Sequence, residues 1–196
     1  MKQMSFEVTP PAALPTRWGD FQVVAFRFPG GEEHLAIVKG DVAGAGVLAR
    51  VHSSCLTGDV LGSQRCDCGA QLAGALDAIE RAGRGVVLYL NQEGRGIGLF
   101  HKIRAYHEQD RGANTVEANV LLGFEADGRS YDHAAAMLRH LGVESVRLLT
   151  NNPKKVEALA AAGIVVAERV PHQPGVTETN RLYIQTKRDL LGHMHP

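Results

Sequence analysis

Ser145-Val-Arg-Leu-Leu149-Thr150-Asn151-Asn152-Pro153-Lys-Lys155-Val-Glu-Ala-Leu-Ala-Ala-Ala-Gly163-Ile164-Val-Val-Ala167 is the stretch that decides the fold. Val146, Leu148 and Leu149 make its opening an apolar strand. Asn152 is a natural N-cap, and Pro153 suits the first helical position because the N–H it lacks would be unpaired there anyway. Gly163 stops the helix, and Ile164 to Ala167 reads as the next strand. Strand, helix and strand at this spacing form a βαβ unit, which implies parallel pairing in a layered α/β sheet.

Upstream, Gly85 to Leu90 is a short apolar run between turn signals, as expected of a buried strand. Leu72, Leu76 and Ile79 mark one face of a helix ending at Gly83. Asn114 with Glu117 predicts a capping box, and Asp132 to Leu141 predicts a helix closed by Gly142. Phe21 to Arg27, His34 to Lys39 and Val47 to His52 read as strands, expected to form an antiparallel meander. The expectation is a three-layer α/β/α architecture with a mixed β-sheet, as a single domain over residues 1–196. Residues 1–14 and 193–196 are expected to fray.

The chain has 196 residues, 44% of them hydrophobic, enough for a core of its own. Lysine plus arginine and aspartate plus glutamate number 21 each, so the formal charge is zero. That balance argues against nucleic acid or a membrane surface as partner, while leaving room for a local cluster of arginines around an anion. No aliphatic or aromatic run exceeds Val86-Val-Leu-Tyr-Leu90, and the N-terminus has no apolar leader. A cytoplasmic location is expected.

The three cysteines lie together in Cys55-Leu-Thr-Gly-Asp-Val-Leu-Gly-Ser-Gln-Arg65-Cys66-Asp-Cys68. An odd, clustered set is no disulfide framework, and its spacing suits a metal. Free core cysteines or a reactive dithiol are the alternatives, but the glycines and polar residues around them describe a loop, where functional groups concentrate. Three thiolates are one short of a closed structural zinc site, which leaves the open position a catalytic zinc needs. Glu93-Gly94-Arg95-Gly96-Ile-Gly98 is either a tight strand-to-helix turn or an anion cradle. Thr150 to Lys155 places lysines at a helix N-terminus, against the helix dipole, which reads either as a solvated lysine pair or as a site for a bound anion. By default Tyr106 is a helix-surface or half-buried aromatic, and Asp127 with Arg129 a solvated surface pair. Histidines 101, 107, 133, 140, 172, 193 and 195 show no ligand spacing.

In order along the chain, Arg50-Val-His-Ser-Ser-Cys55-Leu-Thr-Gly-Asp, Arg65-Cys66-Asp-Cys68-Gly, Gln92-Glu93-Gly94-Arg95, Lys102-Ile-Arg-Ala-Tyr106, Gly112-Ala-Asn-Thr115-Val-Glu-Ala-Asn119 and Leu149-Thr150-Asn-Asn-Pro-Lys-Lys155 resemble the GTP cyclohydrolase II family. The resemblance runs from about Pro15 to Gly192. It implies hydrolysis of GTP with opening of the guanine imidazole ring, release of formate and diphosphate, and a diaminopyrimidinone ribosylamine phosphate product, the first step of riboflavin synthesis. It further implies Cys55, Cys66 and Cys68 as zinc ligands, Asp127 as proton acceptor, Arg129 as the assigned nucleophile, and Tyr106 assisting ring opening beside the metal. Arg50, Val51, His52, Ser53, Ser54, Gln71, Glu93, Gly94, Arg95, Thr115, Thr150 and Lys155 would line the GTP site. Magnesium at the triphosphate and a homodimer complete what it implies. A paralogue feeding another guanine-derived pathway and a non-catalytic nucleotide- or zinc-binding module are the alternative readings. Ser54 stands where the family usually has Glu, and Asn91 where it usually has Arg; together they read as a replaced ion pair.

Overall fold

A computed structural model describes residues 4–125, 127–172 and 175–194. In chain order the strands are β1 (Glu7–Val8), β2 (Ala12–Thr16), β3 (Gly19–Arg27), β4 (Glu33–Lys39), β5 (Val47–Ser53), β6 (Gly85–Leu90), β7 (Ser145–Leu149) and β8 (Val165–Val170). The helices are α1 (Cys68–Ala82), α2 (Gly98–Asp110), α3 (Thr115–Leu121), α4 (Asp132–His140), α5 (Pro153–Ala161) and α6 (Arg181–Leu191). The strands form one mixed sheet in the order β1-β3-β4-β6-β5-β7-β8, with β2 also on β3. Pairs β5–β6, β5–β7 and β7–β8 are parallel, and β4–β6 is antiparallel.

The two faces of the sheet carry separate cores. Ala49, Val86, Val146 and Leu148 meet Met137 and Leu138 of α4 and Leu159 of α5 on one face. On the other, Leu48, Val87 and Leu149 meet Ala75, Leu76 and Ile79 of α1. Neighbours such as Leu48 and Ala49 thus point to opposite layers, as the pleat dictates. The architecture is the expected three-layer α/β/α. Both predicted caps are present: Asn152 accepts from the Lys154 N–H, and Asn114 with Glu117 closes a capping box.

Three expectations need correction. β5 is not the third strand of a meander but lies between β6 and β7. It is buried along nearly its whole length, and a strand covered on both faces belongs at the centre of a parallel array. The segment expected to fray at the N-terminus instead pairs with β3, Glu7 opposite Arg27 and Ala12 opposite Val23. Pro15 is tolerated in β2 because, among the described residues, that strand pairs with β3 alone. At the other end the Met194 N–H donates to the Asn151 carbonyl. Residues 1–3 and 195–196, also expected to fray, lie outside the described residues. Among the described residues no helix is long and apolar enough to cross a membrane.

Candidate active site

The carboxyl ends of β5, β6 and β7 open toward one cleft, where parallel α/β sheets ordinarily receive ligands. β5 delivers Ser54 and Cys55, β6 delivers Gln92 to Arg95, and β7 delivers Thr150 to Asn152. α6, which no sequence signal announced, closes the wall with Tyr183, Lys187 and Leu191. Together with the solvent it opens to, this cleft spans about 1090 Å³.

The thiols of Cys55, Cys66 and Cys68 have their sulfurs within 4.8 Å of one another. The Cys55 and Cys66 sulfurs are 3.7 Å apart. A tetrahedral zinc with bonds of about 2.3 Å has ligand–ligand edges of about 3.8 Å, so this spacing fits the metal. The backbone makes room for the cluster. A Cβ on Gly58 would come within 3.2 Å of the Cys55 sulfur and 3.0 Å of the Cys66 sulfur. A Cβ on Gly69 would sit 2.2 Å from the Gly58 carbonyl oxygen. Gly69→Ala is therefore expected to push the two thiol-bearing segments apart. Overpacking of this kind should lower Tm by about 4–8 °C, as a thermal melt would show.

Buried carboxylates brace the cluster. Asp59 accepts from the Cys55 N–H at 2.9 Å and the Tyr89 hydroxyl at 2.9 Å, and its carboxylate lies 3.1 Å from His52 Nε2. Glu93 accepts from the Leu56 N–H at 2.6 Å and from Lys102 Nζ at 2.7 Å. Lys102 also donates to the Cys55 sulfur at 3.1 Å. Hydrogen bonds with the neighbouring thiols, and then with Lys102, hold the Cys55 thiol well below its ordinary pKa. The bond to Cys55, with burial adding, pushes Cys66 up to about 11. The Tyr106 hydroxyl lies 2.9 Å from that of Thr57, and the Arg65 guanidinium stands 4.8 Å over its ring.

The cleft lining is basic. Among the described lining residues, Arg50, Arg65, Arg95, Lys102, Arg129, Lys155 and Lys187 face a single carboxylate residue, Glu93. Zero net charge thus conceals strong local segregation. Burial, opposed by Asp67, lowers the Arg50 pKa to about 10. Burial and the nearby Arg50 and Arg129 lower Lys155 well below the ordinary lysine value. Arg50 Nε, His52 Nδ1, Ser53 Oγ, Ser54 Oγ and Gln92 Oε1 are buried without a hydrogen-bond partner among the described residues. Unsatisfied polar atoms concentrated on one cleft wall are what a missing polar ligand leaves.

Most residues singled out from the sequence converge here. Arg50, His52, Ser53, Ser54, Gln71, Glu93, Gly94, Arg95, Tyr106, Thr115, Arg129, Thr150 and Lys155 line the cleft with the cysteines. Asp127 stands behind Arg129, taking both Nε and Nη2 hydrogen bonds, so the two are a half-buried ion pair, not a solvated one. Val51 points its side chain into the core and offers its carbonyl to Lys155 Nζ at 2.7 Å. Ser54 and Asn91 are neighbours across the β5–β6 ladder, the Ser54 N–H donating to the Leu90 carbonyl at 2.8 Å. Missed altogether were Asp59, Lys102 and the Lys187–Asp67 ion pair of 2.6 Å. Missed as well was a cluster of Glu32, His34 and His133 behind the Gln92 loop, although His133 had shown no ligand spacing.

Fold and site together define an α/β protein whose ligand cleft joins a three-thiol centre to a cationic wall. A family model described as GTP cyclohydrolase II matches residues 7–171. The GTP cyclohydrolase-2 of Aeromonas hydrophila subsp. hydrophila is 58% identical over 183 residues, covering 92% of this chain and 93% of that protein. The GTP cyclohydrolase-2 of Pseudomonas aeruginosa (strain LESB58) is 58% identical over 193 residues, 97% of this chain and 94% of that protein. That of Neisseria meningitidis is 53% identical over 182 residues, 92% of each. The chain belongs to the GTP cyclohydrolase II family and is an enzyme of that family.

Proposed function

We propose that this enzyme hydrolyses GTP, opening the guanine imidazole ring with loss of formate and releasing diphosphate, as the first step of riboflavin synthesis. The observation that carries the reading is that the three-thiol cluster and the basic wall share one cleft. A purine ring at the thiols and a triphosphate at the wall would fill it from end to end. The cysteines would hold zinc, which when bound supplies Lewis acidity and activates water at neutral pH.

The chain's own residues do the rest. Tyr106, fixed through Thr57, stands beside the thiols with a hydroxyl able to donate to a developing anion. Arg50 and Lys155 are positioned to hold phosphate oxygens. Asp127 keeps its carboxyl below the ordinary value, because the Arg129 hydrogen bonds outweigh burial, so it is ionised and able to accept a proton. Arg129 is held above the ordinary arginine value by the same carboxylate, against burial. A guanidinium that stays protonated is a poor nucleophile, so clamping the phosphate is the role that suits Arg129. Glu93 is fully engaged by Leu56, Gly94 and Lys102, so magnesium would arrive on the triphosphate and its waters rather than on a protein carboxylate. Leu99, Phe100 and Ile103 of α2 with Val120 and Leu121 of α3 are exposed apolar residues on neighbouring helices, and a second copy of the chain would cover them.

Incubation with GTP, zinc and magnesium should yield formate and diphosphate in equal amounts, with a deformylated pyrimidine by mass spectrometry. A stable formylated product, or bound GTP with no turnover, would refute the reading.

A further inference from the structure

Lys102 is 8% exposed yet charged, and it lies on the inward face of α2 one helical turn before Tyr106. Its ammonium meets a sulfur on one side, Cys55 Sγ at 3.1 Å, and a carboxylate on the other, Glu93 Oε1 at 2.7 Å. Glu93 is itself pinned, its second oxygen accepting from the Leu56 N–H at 2.6 Å. The lysine is thus anchored to the residue that follows the thiol it contacts. A simple structural ion pair has no need of the sulfur, and a substrate-binding lysine would leave its protons free.

We infer that Lys102 is a positioning residue that acts through Cys55, setting how strongly that thiolate donates electrons to the bound metal. The inference rests on the reading of Cys55, Cys66 and Cys68 as metal ligands. A dication with three thiolates carries net −1, which makes it a weak Lewis acid. A charged N–H···S bond draws electron density off one sulfur, so the metal keeps more of its acidity. Hydrogen-bond donors to ligands tune metals in this way and alter their affinity by about 10- to 100-fold. Glu93 then serves to aim Lys102 rather than to touch substrate.

Cobalt(II) in place of zinc tests this without turnover, because the sulfur-to-cobalt charge-transfer band reports thiolate donor strength directly. In Lys102→Met the band should move to longer wavelength, a shift that Lys102→Arg should return toward wild type and Lys102→Gln should leave in between. Glu93→Gln, which keeps the ammonium but loosens its anchor, should shift the band part of the way. A purely structural Lys102 would lower Tm and leave the band in place. A wild-type band that neither Lys102→Met nor Lys102→Gln moves overturns the role of Lys102 alone. A wild-type protein without a sulfur-to-cobalt band refutes the three-thiol reading, and the role with it. If Lys102→Met does not fold, as judged by circular dichroism, the Lys102→Gln band decides.

Discussion

Cys66→Ser should abolish formate release while leaving the fold largely in place. Serine keeps the volume but is a poor zinc ligand at neutral pH, since the metal binds thiolates and Ser hydroxyls stay protonated. Two thiols would remain where the spacing of 3.7 Å between Cys55 and Cys66 now fits a tetrahedral edge. Loss of a residue that merely orients a ligand costs about 10- to 100-fold, so loss of a ligand should exceed about 100-fold in turnover. GTP affinity should fall much less, because Arg50 and Lys155, which line the same cleft, are untouched by the substitution. Stoichiometric zinc analysis, formate assay and a binding titration on one preparation check all three. Full turnover in a variant free of zinc would refute the metal's role.

Lys155→Met should do the reverse, raising stability and lowering substrate affinity. The Lys155 amine is buried among Arg50, Arg129 and Lys187, and burial first, then those cations, lower its pKa far below 10.5. In the unfolded chain the ordinary value returns. Between the folded and unfolded pKa values the unfolded state binds the extra proton, so wild-type stability falls as pH drops through that window. Methionine removes this penalty and leaves only the Val51 carbonyl, now accepting at 2.7 Å, without its donor, a loss of about 1 kcal/mol. At neutral pH Tm should therefore rise. The gap should close as pH is raised toward 10.5. KM for GTP should rise about 10- to 100-fold, because the triphosphate's negative charge restores the Lys155 proton and one charge-assisted hydrogen bond is then lost in the variant. Parallel melting curves from pH 6 to pH 10, or a lower Tm at neutral pH, would contradict this account.

What could be read from the sequence was what is local in it. The Asn152–Pro153 start of α5, the Asn114–Glu117 box and the thiols of residues 55–68 announce themselves within a few residues of chain. What could not be read depends on partners that are remote. Lys102 and Cys55 are 47 residues apart, and Lys187 and Asp67 are 120 apart. α6 hid because its inward stripe of Ile184, Lys187 and Leu191 carries a lysine where an apolar residue was expected. β5 was misplaced because its burial on both faces follows from the helices around it, not from its own pattern. His34 and His133 meet only when α4 packs beside β4, their ring nitrogens 2.8 Å apart.

The crowding of all three thiols into residues 55–68 bears on how the protein comes to be folded. No long-range strand pairing is needed to bring them together, so if the thiols hold zinc as proposed, a nascent or denatured chain could already bind it through that loop. Glu93 and Lys102 join only once β6 and α2 have docked. Metal capture can therefore precede assembly of the sheet. An unfolded chain that competes for the proposed zinc would leave the native state stabilised by less than its native affinity alone suggests.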